Sequence, residues 1–180
     1  MDTEILIVGA GLCGLHAATR LQAAGRSVLV LEKSRGLGGR AATRRWNNRP
    51  VDHGAQFFTA KNPEFVAQVA RWLESGVCHE WTRGLHRFSG GQLHEPTDHS
   101  HPRYACRSGM AALDLHSPLE IFLQRWRYAL PTSGEMPPGP IAHTFPAPLV
   151  VAGDWCHGGR IEGAWMAGRD AAERLLAILR

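Results

Sequence analysis

The chain has 180 residues, 44% of them hydrophobic and 20% charged, the composition of an ordinary soluble globular protein with enough length for one proper core. No apolar run reaches the ~18 residues that span a bilayer, and residues 1–12 read as a strand and turn without the basic start of a secretion signal, so no membrane role is expected and the cytoplasm is the expected compartment. The formal net charge of +4 owes much to Arg35, Arg40, Arg44, Arg45 and Arg49; that stretch holds glycines and follows a nucleotide-binding pattern, which favours an anionic cofactor over nucleic acid.

The first elements carry the strongest signal. Ile5 to Val8 is a continuous apolar run, as in a buried parallel strand. Gly9, Gly11 and Gly14 then give G-x-G-x-x-G. Leu15, Ala18, Leu21 and Gln22 follow at helical spacing, and Gly25 ends the helix. Val28 to Leu31 is a second strand with Glu32 at its carboxyl end. Each part has a mechanical reason: Gly9 permits a tight turn, Gly11 lets backbone approach a pyrophosphate, and Gly14 lets helix and strand pack closely. The helix start offers free N–H groups and partial positive charge, and Glu32 suits ribose hydroxyls. This unit alone leaves NAD and FAD open.

Residues 34–46, SRGLGGRAATRRW, form a glycine loop with Arg40 and Arg44, where an NAD enzyme would start its next helix. Gly-Gly-Arg just after the acidic residue is a recurrent companion of the first motif in FAD-binding proteins. The segment VDHGAQFFTA, residues 51–60, follows. Residues 62–76 place Phe65, Val66, Val69, Trp72 and Leu73 at helical spacing behind a plausible N-cap, Asn62, as a core stripe. Residues 77–96 read as short strands and tight turns, with Gly90-Gly91 at a hairpin corner and Trp81 as packing. The histidines of residues 94–102 lack fixed ligand spacing, and Cys13, Cys78, Cys106 and Cys156 form no C-x-x-C, so no metal site is expected and the thiols read as reduced. Residues 136–150 carry five prolines and read as an extended connection into a last strand, Leu149 to Ala152. Gly153-Asp154, a glycine-rich turn and Glu162-Gly163-Ala164 at a helix mouth then form a second loop built to hold a ligand.

Taken in order, GAGLCGLHAATRLQAAGRSVLVLEKSRGLGGRAATRR, VDHGAQFFTA, RYACRSGMAAL, RWRYALP and GDWCHGGRIEGAWMAGRDAAERL resemble the renalase-type flavoproteins of the flavin-containing amine oxidase superfamily. The resemblance covers residues 1–113 and 125–180. It implies an α/β, Rossmann-like FAD/NAD(P)-binding fold of glutathione-reductase type, here shortened and carrying a small β-hairpin region. It implies that the whole chain, 1–180, is one discontinuous FAD-binding domain. It also implies that Asp154 contacts the ribityl or pyrophosphate part of FAD, and that the helix near Gly163-Ala164 faces the flavin pyrimidine edge. The candidate cofactor-binding set is Gly9, Gly11, Leu12, Cys13, Gly14, Glu32, Lys33, Gly39, Arg40, Asp52, His53, Gly54, Ala55, Gly153, Asp154, Glu162, Gly163 and Ala164. No catalytic acid or base stands out; His53 reads as structural or cofactor-positioning.

Between Met110 and Trp126 the chain departs from the family. Residues 114–124 replace the long region that in relatives supplies further strands and a substrate domain. The expected consequences are a weakened adenine wall and an open flavin face, with a homodimer as one way to cover them. The implied activity is an FAD-dependent oxidoreductase, with dihydronicotinamide isomers or amines as substrate and oxygen or another small electron acceptor. The competing reading is a minimal FAD-binding or electron-transfer module that needs a partner.

Overall fold

The computed structural model describes residues 3–96, 101–114 and 138–180. Most of the segment 114–124, the Arg125-Trp126-Arg127-Tyr128 motif and part of the histidine-rich stretch lie outside the described residues.

Strand β1 (Ile5–Val8) turns at Gly9 into helix α1 (Leu12–Ala23), which returns to β2 (Val28–Leu31). β1 and β2 pair in parallel, Ile5 against Val28 through Val8 against Leu31, the right geometry for a β-α-β crossover. Helix α1 buries Leu15, Ala18 and Leu21 as its spacing predicts, whereas Gln22 faces solvent. The left-handed Gly25 follows its C-terminus. Gly14 is where α1 touches β1: a Cβ there would lie 2.0 Å from the Gly9 carbonyl oxygen.

The arginine-rich stretch is not irregular throughout. β3 (Thr43–Trp46) and β4 (Arg49–Asp52) form an antiparallel hairpin. Its two-residue turn is Asn47-Asn48, both with positive φ, a backbone that asparagine tolerates better than most residues. Helix α2 (Pro63–Glu74) starts at the expected cap: the Asn62 side chain accepts from the backbone N–H groups of Glu64 and Phe65. Its buried stripe is narrower than the spacing suggests. Phe65 and Val69 are buried, Trp72 is partly so, and Val66 and Leu73 are exposed. Burying Phe65 contributes roughly 1.5–3 kcal/mol. It meets Phe58, Trp72 and Trp165 in one aromatic cluster.

β5 (Cys78–Thr82) pairs antiparallel with β8 (Arg103–Cys106), and between them β6 (Arg87–Ser89) and β7 (Gln92–His94) form the hairpin cornered at Gly90-Gly91. Trp81 is half exposed and lies against Phe57 at 5.6 Å, so it is not core packing. The proline-rich connection contains a strand, β9 (Ile141–His143), paired antiparallel with β10 (Leu149–Val151). Helix α3 (Arg160–Ile178) begins one turn earlier than the Gly163-Ala164 expectation.

Helix α3 packs along α1 and so brings the chain's last segment back to its first. Gly168 makes the close approach possible, since a Cβ there would fall 2.4 Å from the Cys13 carbonyl oxygen. His16 of α1 packs against Trp165 of α3 in this seam, ring centroids 4.2 Å apart and planes tilted by 59°. Burial, helped by Arg20 and Arg169, pushes its pKa down to about 4, so the ring is neutral at pH 7. Arg169 ties α3 to α2 through Glu64 at 2.7 Å and also holds Asp170.

The expectation of a buried first strand holds for one face only. Ile5 and Ile7 pack against α1 and α3, while Leu6 is 55% and Val8 75% exposed. The physical reason is the strand count: β1 and β2 form a two-stranded sheet among the described residues, with helices on one side. No described helix is long and apolar enough to cross a membrane.

Candidate cofactor site

Three glycine-rich loops meet at the carboxyl ends of β1 and β2. The Gly9 N–H donates to the Leu31 carbonyl at 2.7 Å, which carries the strand pairing into the turn. The Gly38 N–H donates to the Ala10 carbonyl at 2.8 Å, and Gly11 and Gly38 form a parallel bridge. The first and second loops are therefore laced together by backbone. A Cβ on Gly39 would sit 3.2 Å from the Gly11 Cα. The third segment joins through side chains. Arg40 donates two parallel hydrogen bonds to Asp154, Nη1 to Oδ2 at 2.7 Å and Nη2 to Oδ1 at 2.5 Å. Asp154 is buried and Arg40 is half exposed.

These segments enclose a cavity of about 480 Å³. Of the residues chosen from sequence, Gly11, Leu12, Cys13, Gly39, Arg40, Gly54, Ala55, Gly153, Asp154 and Ala164 line it. Positions 11–13 and 153–164 share one cavity although some 140 residues separate them. A Cβ on Gly11 would enter open space, so the missing side chain leaves room for a ligand. Gly54 closes the floor: a Cβ there would lie 2.0 Å from the Arg40 carbonyl oxygen, which also accepts from the Ala55 N–H at 2.9 Å.

The remaining candidates lie outside the lining of this cavity. Gly9 and Gly14 shape the turn and the helix contact without lining the cavity. Glu32 is buried at the end of β2, where one carboxylate oxygen accepts from the Ala10 N–H and the other from the Ser34 N–H and hydroxyl. Burial opposes its charge, but the bonds from Ser34 and the amides of Ala10 and Lys33 outweigh that and hold its pKa below the usual range. Lys33 follows it, half-buried and outside the cavity lining. Asp52 accepts from the Thr43 hydroxyl at 2.6 Å and the Met110 N–H at 2.8 Å, latching the β3–β4 hairpin onto the turn after β8. His53 is exposed and does not line the cavity. Glu162 accepts from the N–H groups of Lys61 and Asn62, fixing the entry to α2; it lines a second cavity with Gly163, of about 320 Å³.

Gly38 of the expected glycine loop also lines the main cavity, as do Ala41, Arg160 and Ile161, which were not singled out from the sequence. A signal existed for one of them: Gly158-Gly159-Arg160 repeats the triplet Gly38-Gly39-Arg40. Burial, together with Cys156, Asp154 and Asp170, pushes the Cys13 thiol up to about 12, so the cavity wall carries a neutral thiol and no thiolate nucleophile. Among the described residues no cluster of three or more His, Cys, Asp or Glu could hold a metal ion.

Residues 7–72 match the family described as NAD(P)-binding Rossmann-like domain. The chain is 36% identical over 89 residues to (S)-6-hydroxynicotine oxidase of Paenarthrobacter nicotinovorans, which is 47% of this chain and 21% of that protein. It is 36% identical over 69 residues to putrescine oxidase of Kocuria rosea, 38% of this chain and 14% of that one. This stretch is homologous to the flavin-containing amine oxidases. A solved structure of putrescine oxidase aligns over 54% of this chain and 22% of its own, at 31% identity and a TM-score of 0.40. The chain thus spans about a fifth or less of the curated relatives it matches. Its fold is Rossmann-like, with the β1-α1-β2 unit inside the matched residues.

Proposed function

We propose that the chain binds FAD in the three-loop cavity and acts as a renalase-like, FAD-dependent oxidoreductase. The observation that carries this reading is the cavity itself. A dinucleotide turn needs only the first loop and its helix start. Here the same cavity is completed by Gly39-Arg40 and by Gly153-Asp154 with the start of α3, which suits a longer cofactor held at both ends. The lining fits: open backbone at Gly11, a guanidinium at Arg160, and the Arg40–Asp154 pair holding the second and third loops together.

When bound, FAD supplies a hydride acceptor at N5 and a route for electrons to oxygen, with hydrogen peroxide as product. The chain's own residues bind and orient. Arg40 and Asp154 fix the second and third loops against each other, and Gly54 and Ala55 close the floor under Arg40. Among the described residues the lining offers no free general base, since Asp154 is paired and Cys13 is a neutral thiol. That composition suits substrates oxidised by direct hydride loss, and the proposed ones are dihydronicotinamide isomers or amines.

One observation favours a second reading, an FAD-carrying module that works with a partner: the bare apolar face of β1, with Leu6 and Val8 exposed. Oxygen-dependent peroxide release from candidate donors separates the two. The FAD-loaded chain should turn over at least one donor more than tenfold faster than the same concentration of free FAD. Rates equal to free FAD for every donor would leave the carrier reading standing.

A further inference from the structure

Arg40 was the cation expected to meet the cofactor's negative charge, but its guanidinium is engaged by both oxygens of Asp154. The two side chains cancel inside the cavity wall. The other cation in the lining is Arg160, and its guanidinium makes no hydrogen bond or ion pair with any described residue. Arg160 also occupies a backbone conformation that a side chain disfavours, φ +69. The other described non-glycine residues with positive φ are Asn47 and Asn48, both in a hairpin turn, where asparagine is tolerated. Glycine would fit position 160 without strain, and glycines stand at the two positions before it. An arginine kept there, exposed where both cavities meet it and without a partner among the described residues, is strain held at a ligand site.

The position is also built. The Gly159 N–H donates to the Asp154 carbonyl at 2.8 Å, so the turn that aims Arg160 hangs from the residue that Arg40 grips. We propose that Arg160, and not Arg40, supplies the uncompensated positive charge that holds the cofactor's diphosphate, while Arg40 positions the loop by neutralising Asp154. This rests on the FAD reading and adds a binding residue to it. An arginine on a phosphate makes charge-assisted hydrogen bonds that are stronger than neutral ones.

The test uses the full chain as wild type, Arg160→Gly and Arg160→Lys. FAD affinity is read by titration at two salt concentrations, and the melting temperature is read without cofactor. Arg160→Gly should bind FAD at least tenfold more weakly with a shallower salt dependence, yet melt no lower than wild type, because glycine relieves the backbone. Arg160→Lys should fall between them in affinity. Equal FAD affinity in wild type and Arg160→Gly would overturn the assignment. If wild type takes up no FAD, the FAD reading falls, and inorganic pyrophosphate becomes the probe. Weaker pyrophosphate binding by Arg160→Gly would then support the anion role, and unchanged binding would refute it.

Discussion

Arg40→Ala should unfold at markedly lower denaturant than the wild-type chain, a loss of roughly 2–3 kcal/mol in the cofactor-free protein. The size follows from what is left behind. The Asp154 side chain is only 6% exposed, and both of its oxygens accept from Arg40. Removing the guanidinium strands a buried carboxylate, which in a fully dry site costs about 3–5 kcal/mol. Arg40 is 48% exposed, so water reaches the pair from one side and the lower figure applies. The double variant Arg40→Ala with Asp154→Ala should recover part of the loss, because no unpaired charge remains. Arg40→Lys should be intermediate, since a point charge cannot reproduce the two-pronged contact. An Arg40→Ala chain as stable as wild type in a urea titration would mean that the pair does not join the two ends of the molecule.

A second substitution acts through backbone alone. Gly14→Ala adds one carbon, which would sit 2.0 Å from the Gly9 oxygen and 3.3 Å from a methyl of Ile7. The Gly9 turn has little freedom to yield, because its N–H is bonded to Leu31. Helix α1 must therefore lift from β1, and it carries Ala17 and Leu21 out of the cluster they form with Ile5 and Ala172. Overpacking of this kind costs about 1–3 kcal/mol where side chains can adjust, and more where the obstacle is main chain. We expect a loss of about 3 kcal/mol or more, with FAD binding abolished because the Gly9–Gly11 turn shapes the cavity edge. Gly36→Ala is the control: its backbone is unstrained and its Cβ would meet open space, so stability should stay within about 0.5 kcal/mol. Comparable losses in both variants would point to general glycine effects and away from the helix–strand contact.

The parts of the fold legible in the sequence are those set by local chemistry. The β1-α1-β2 unit follows from an apolar run, three glycines and a helical stripe. The start of α2 follows from Asn62, whose side chain does what a cap does wherever it stands. Other features depended on residues far away. The sequence marked Arg40 and Asp154 separately as ligand contacts, but their pairing spans 114 residues and cannot be read from spacing. Asp52 and Glu162 were placed by the motifs they sit in. The motifs did not show that their carboxylates accept from backbone N–H groups of Met110, Lys61 and Asn62, all supplied by other elements. The β3–β4 hairpin was hidden by its arginines, although Asn47-Asn48 marks its turn. The bare face of β1 reflects how many strands flank it, which a four-residue apolar run does not encode.

The central claim is that the two ends of this chain together form one FAD site. It is tested most directly by incubating the purified chain with excess FAD, removing free cofactor by gel filtration, and measuring flavin absorbance against protein, with NAD as competitor. The account predicts close to one FAD retained per chain, not displaced by NAD. A colourless protein after the same treatment, or one that retains NAD in place of flavin, would contradict it.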